Sequence, residues 1–202
     1  MFYDPRRYLT TTRADHIPGA PQGQWTYDDY AKIPNDGQRY EVIDGVLYVQ
    51  GSESCYPLHK PLELVKFHLI TYLDEYQHFA AAYSIPFEVE LSDKTKVVPD
   101  FAAVFKVHNE RGTGYVIDIP DLVVEVTSSD TGPHDRDQKY RVYASRGVKE
   151  YWIVNPAQHN VEVVKLASSE YPTPEIFSGE QLVHSQLLPG FSVRAKQFFD
   201  YD

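Results

Sequence analysis

Residues 120–130 read PDLVVEVTSSD. The run has the apolar density of a strand buried in a sheet, broken at its centre by Glu125. A carboxylate in an apolar surround is costly unless something compensates it. Any fold for this chain must therefore turn Glu125 away from the main core or give it a partner. Side chains two apart on a strand point the same way. Alternation over 121–127 sets Leu122, Val124 and Val126 on one face, and Asp121, Val123, Glu125 and Thr127 on the other. The expectation is that this second face opens into a cleft.

Two more acids sit inside apolar strand patterns. Asp100 follows Pro99 and leads into FAAVF; Glu41 lies between Tyr40 and Val42. If the strands are neighbours, Asp100 and Glu125 converge. Like charges brought together repel and raise each other's pKa, and a divalent cation relieves the conflict. Magnesium suits such a set, because it takes oxygen ligands from one or two carboxylates plus water and substrate phosphate. Lys139, on the helix expected after the Glu125 strand, could orient or deprotonate a water there. Arg136 and Tyr143, three before and four after, are expected on the same helical face. Each residue also has a plainer reading: Asp100 as a turn residue, Glu125 as an ion-pair partner, Glu41 as a solvent-facing hairpin residue, Lys139 as a solvated helix charge.

The remaining pattern is α/β, in the looser α+β sense: a hairpin-rich mixed sheet flanked by helices. Thr26 and Asp29 form a capping-box pattern for a short helix ended by Pro34. Asp44-Gly45 between apolar runs predicts a hairpin pairing 39–43 with 46–50. The strongest helix spans 58–79, with Pro61 in its first turn. Strands are expected at 84–91, 97–105, 121–127, 149–154 and 161–166, with Pro99 at a strand entry and a loop over 106–118. A helix over 134–146 ends at Gly147. Residues 1–24 read as an arm, and 25–202 as one domain.

The 202 residues carry a net charge of −10, which argues against coating nucleic acid through bulk electrostatics. Local grip through a metal ion stays open. Basic residues outnumber acids in 134–149, where Arg136, Lys139, Arg141, Arg146 and Lys149 could face a phosphate backbone. His59 and His134, expected at helix starts, could border the same cleft and touch phosphate. The histidines have no zinc spacing. There is no GxGxxG or P-loop, so no nucleotide cofactor is expected. No apolar run is long enough for a membrane span. The lone Cys55 fits a reducing cytosol, so the expected location is cytoplasmic.

The order Pro99-Asp100, then Glu125 in an apolar strand, resembles the PD-(D/E)XK restriction-endonuclease-like superfamily. That motif has a lysine two residues beyond the glutamate, where this chain has Thr127. The departure fits one branch. YEVIDGVL (40–47), His59 before the long helix, VVPDFAAV (97–104), PDLVVEVTSSD, Lys139-x-x-x-Tyr143 and GVKEYWIVNP (147–156) together resemble the Uma2-type restriction endonucleases. There the lysine stands on the following helix, as Lys139 does. The resemblance implies a restriction-endonuclease-like core and metal-dependent cleavage of DNA. It implies that Asp100, Glu125 and the Val126 carbonyl hold Mg2+ or Mn2+. Glu41 would complete the cluster directly or through water, and Lys139 would be the catalytic lysine. DNA is the implied partner, and a homodimer is compatible with it. A catalytically silent binding module on the same fold is the rival reading.

Overall fold

The computed structural model describes residues 11–50, 56–76, 81–84, 87–105, 116–117, 119–127, 135–166 and 173–200. In chain order the elements begin with β1 (Thr12–Arg13), α1 (Tyr27–Tyr30), the hairpin β2 (Arg39–Ile43) and β3 (Val46–Gln50), and the long helix α2 (Tyr56–Tyr76). Five strands follow: β4 (Ala81–Ser84), β5 (Glu88–Ser92), β6 (Thr95–Val97), β7 (Phe101–Val104) and β8 (Val116–Ile117). Then come β9 (Leu122–Val126), a π-helical turn over Asp135–Lys139 continued by α3 (Tyr140–Arg146), and β10 (Glu150–Asn155). β11 (Asn160–Lys165), β12 (Glu175–Ser178) and a 3-10 turn at Ala195–Phe198 close the chain. The architecture is mixed α+β.

The strands form two six-stranded sheets rather than the single sheet expected. The first runs β1-β3-β2-β6-β5-β8 and the second β12-β11-β10-β9-β7-β4. Both are mostly antiparallel. The pair β9/β10 is parallel, with Val124 level with Trp152, and α3 lies in the crossover such a pair requires. Two strands expected as single runs are each divided between the sheets. The run at 84–91 becomes β4 in the second sheet and β5 in the first, with Pro86 in the sequence between them. The run at 97–105 becomes the end of β6 in the first sheet and β7 in the second. Pro99 therefore marks a change of sheet, because its nitrogen has no hydrogen to donate to either ladder.

Local signals explain the elements that came out as expected. Asp44 and Gly45 both have positive φ, 48° and 78°, which is the twist a two-residue hairpin turn demands. Thr26 caps α1 with a reciprocal Asp29 bond. Gly147, at φ 92°, stops α3 and donates its N–H to the Tyr143 carbonyl. The long helix starts earlier than expected, so Pro61 falls inside it. The expected loop at 106–118 contains the short strand β8.

β9 is covered on both faces. Leu122, Val124 and Val126 pack with Leu62, Val65, Leu69 and Leu73 of α2 and with Trp152. Val123 packs with Tyr143, Tyr151 and Ile153, and with Val89 and Val97 of the first sheet. Glu125 shares that second face and is itself buried. The open cleft expected there is instead a layer between the two sheets. Trp152 and Tyr151 are core. Among the described residues no helix is long and apolar enough to cross a membrane.

Candidate active site

The segment Val98-Pro99-Asp100, which passes from one sheet to the other, organises the site. Glu41 on β2 accepts a hydrogen bond from the Val98 N–H at 2.8 Å. Two residues on, Asp100 accepts the Val126 N–H through Oδ2 at 2.7 Å. Phe101 pairs with Val124, so one further step of the antiparallel register sets Asp100 across from Glu125. A strand residue's N–H and C=O point to the same side, so the Val126 carbonyl also faces Asp100.

Lys139 joins the acids. Its Nζ lies 2.9 Å from Glu125 Oε1 and 3.3 Å from Glu41 Oε1. Tyr143 Oη donates to the same Glu125 oxygen at 3.0 Å. All of these groups are buried: Lys139 is 2% exposed, Glu41 0% and Glu125 5%, whereas Asp100 is half-buried. Burying an ion is tolerated only when its partner and hydrogen bonds repay the desolvation. Here one ammonium serves two carboxylates, and Asp100 stands beside them at the strand end. Burial drives the Tyr143 hydroxyl well above its ordinary pKa, and Glu125, Tyr151 and Glu41 add to the effect. The hydroxyl therefore stays a donor.

The π turn alters the helix face expected from sequence. Lys139 and Tyr143, four apart across the junction with α3, both reach Glu125. Arg136 does not join them. It forms a two-point ion pair with Glu162 of β11, through Nε to Oε2 at 3.2 Å and Nη2 to Oε1. The wider turn carries an extra residue, which takes Arg136 off the Lys139 face. The basic stretch likewise disperses: Arg141 pairs with Asp137, Arg146 lies by Asp44, and Lys149 pairs with Asp121. It is not a continuous phosphate-facing patch. His134 and the His59 side chain lie outside the described residues, as does Cys55. Tyr143 is the member that sequence reading left without a role, and its spacing from Lys139 was the available signal.

Among the described residues, no group of three His, Cys, Asp or Glu side chains is already gathered to hold a metal. The donor chemistry still suits a hard cation. Asp100, Glu125 and the Val126 carbonyl offer oxygen only, and magnesium keeps several waters and needs just one or two carboxylates.

A solved structure described as a putative nuclease belonging to DUF820 from Anabaena variabilis ATCC 29413 is similar in fold. The TM-score is 0.71 at 18% identity, over 87% of this chain and 97% of that one. No curated protein matches the chain. The model of the Uma2 family, described as "Putative restriction endonuclease", matches residues 27–196. That span takes in Glu41, Asp100, Glu125 and Lys139, and the chain belongs to the Uma2 family.

Proposed function

We propose that this protein is a metal-dependent endonuclease that hydrolyses DNA phosphodiester bonds. The observation that carries the reading is the position of Lys139: a lysine 14 residues beyond Glu125 in sequence brings its Nζ to 2.9 Å from that carboxylate. Asp100, Glu125 and the Val126 carbonyl would hold Mg2+ or Mn2+, which when bound supplies positive charge to the phosphoryl oxygens as negative charge builds on them. The chain's own groups do the rest. Glu41 anchors Lys139 from the first sheet and fixes the approach of Val98. Tyr143 and Lys139 hold one oxygen of Glu125, which sets the orientation of the other. Lys139 Nζ would orient the attacking water, and an ammonium beside the reacting phosphate stabilises its transition-state charge.

Purified protein should nick supercoiled plasmid in Mg2+ or Mn2+ and not in chelator, and Asp100→Ala should abolish nicking. Undiminished cleavage by that variant would remove the assignment. The lack of a ready-gathered metal cage among the described residues favours a second reading, a silent nuclease fold that serves as a binding module. Calorimetric titration with Mn2+ separates the two. A working site binds the ion with an affinity that Glu125→Gln reduces; a silent module shows no such dependence.

A further inference from the structure

We propose that this chain forms a two-fold dimer in which α2 packs antiparallel against α2 of a second copy. The inference is independent of the nuclease reading. It concerns the side of the second sheet that α2 covers, whereas Glu125 lies on the other side.

Leu62, Val65, Leu69, Tyr72 and Leu73 fix the inward side of α2 by packing on the second sheet. The outward side departs from the polar face that a solvent-facing helix carries. Lys60, Glu63, Phe67, Ile70 and Asp74 are exposed there, at steps of three and four. Phe67 is 62% exposed and Ile70 39%. These two stand at the middle of the stripe, with charged residues at both ends. An apolar centre within a polar rim is the layout of a protein interface. The spacing is also that of the seam between paired helices.

The charges choose the occupant and its direction. Asp74 and Glu75 lie in the last turn of α2, which holds no basic residue. The negative end of the helix dipole disfavours acids there. Lys60 and Asp74 stand equally far before and after Phe67 in sequence, about 10 Å each way along the axis. An antiparallel copy centred on Phe67 therefore brings its Lys60 beside Asp74, and the reverse, with the two dipoles opposed. A parallel copy would set like charges side by side. Lys60 also pairs with Asp200 at 3.2 Å, and both side chains of that pair are exposed. Asp74 of the second copy joins this exposed pair, so no bare cation is required. A two-fold interface must be self-complementary, and the stripe meets that condition: Phe67 faces itself and each charged end faces its opposite. The contact is one helix wide, so the dimer is weak and concentration-dependent.

The test is the mass of the full chain in solution, by sedimentation equilibrium over about a hundredfold range of concentration. The mass should rise from that of one chain toward that of two. Phe67→Glu sets two carboxylates face to face at the axis and should weaken association by more than about tenfold. Phe67 is exposed in the single chain, so the melting temperature at low concentration should stay unchanged. Asp74→Lys should weaken association about threefold at low salt. Adding Lys60→Glu should restore it, because the facing signs are then exchanged. A single-chain mass at every concentration would overturn the proposal and leave the stripe to a different partner. So would a dimer indifferent to Phe67→Glu, which would place the interface elsewhere. If Phe67→Glu does not fold, the charge exchange decides. A dimer that Asp74→Lys leaves unchanged, or that the double variant fails to restore, refutes the antiparallel pairing. Failure of the wild type to nick DNA bears on the nuclease reading alone and not on the dimer.

Discussion

Among the described residues two lysines are buried, and their surroundings differ. Lys139 stands between Glu125 and Glu41, carboxylates from the two different sheets. Lys96, on β6, is as deeply buried but meets one carboxylate, Glu88 Oε1 at 2.5 Å. It also lies over the Tyr30 ring, 3.0 Å from the centroid. Tyr30 Oη donates to the same Glu88 oxygen at 3.0 Å, so this trio ties α1 to the first sheet. Lys96 makes one direct ion pair, to which Glu41 adds a longer-range pull. Lys139 faces two buried acids, with Asp100 nearby at the rim, and an oxygen-rich group of this kind has the donor chemistry a hard cation takes. The number of carboxylates in direct contact, rather than burial itself, distinguishes the two clusters.

The widest expected gap between the two clusters is in what each lysine's loss exposes. Lys139→Met would leave two buried carboxylates facing each other, a cost of about 3–5 kcal/mol. Denaturant unfolding should show that loss, and plasmid nicking should disappear. Lys96→Met leaves Glu88, which is partly exposed and can hydrate, so the loss should be about 1–2 kcal/mol. Equal destabilisation by the two substitutions would break the contrast between them.

The pH dependence should also separate them. Burial pushes Lys96 down from 10.5 to about 8, against the opposing pull of Glu88 and Glu41. Between those values the unfolded chain holds a proton that the folded one has released, so stability rises with pH from about 8. The tyrosines act in reverse. Burial raises Tyr30 and Tyr143, and it pushes Tyr40 up to about 12 with help from Asp36. Above pH 10 the unfolded tyrosines lose protons that the folded ones keep, so stability falls. Thermal unfolding should therefore give a maximum on the alkaline side, and Lys96→Met should remove its rising limb. A flat profile between pH 8 and 10 in the wild type would contradict the burial argument.

Smaller changes sharpen the picture. Tyr143→Phe removes one of two donors to Glu125 and should cost about 1–1.5 kcal/mol while weakening Mn2+ binding in calorimetry. Its effect on the Lys96 pH limb should be nil. Thr26→Ala breaks the capping box of α1 and should cost about 1 kcal/mol. Because α1 carries Tyr30, it should disturb the Lys96 fastening and leave Mn2+ binding alone.

Much of this is legible in the amino-acid sequence. The Asp44-Gly45 hairpin, the Gly147 stop and the alternation of 121–127 are written in nearest neighbours, and local backbone preferences decide them. Glu125 needs a partner for a reason visible in its own strand. Which groups supply that partner is harder to read. Lys139 and Tyr143 reach it from the following helix, and Glu41, which shares Lys139, comes from another sheet. Pro99 reads as the entry to one strand, whereas it lies where the chain changes sheets. That choice depends on which ladders lie nearby, and Val98 and Asp100 are held by different ones. The π turn is also hidden, because a wider turn differs from an α-turn by one residue's placement and leaves no compositional mark. It is what brings Lys139 to Glu125 and sends Arg136 to Glu162.

Sequence by itself determined the kinds of residue available, their strand and helix spacing, and the need of a carboxylate at 125 for compensation. These follow from side-chain chemistry and the periods of local structure. Tertiary structure alone decided that the face around Glu125 is closed by a second sheet, and that Lys139 is shared between acids from both. Charge–charge energy depends on distance through the low-dielectric interior, and distances between elements remote in sequence exist only once the sheets have packed.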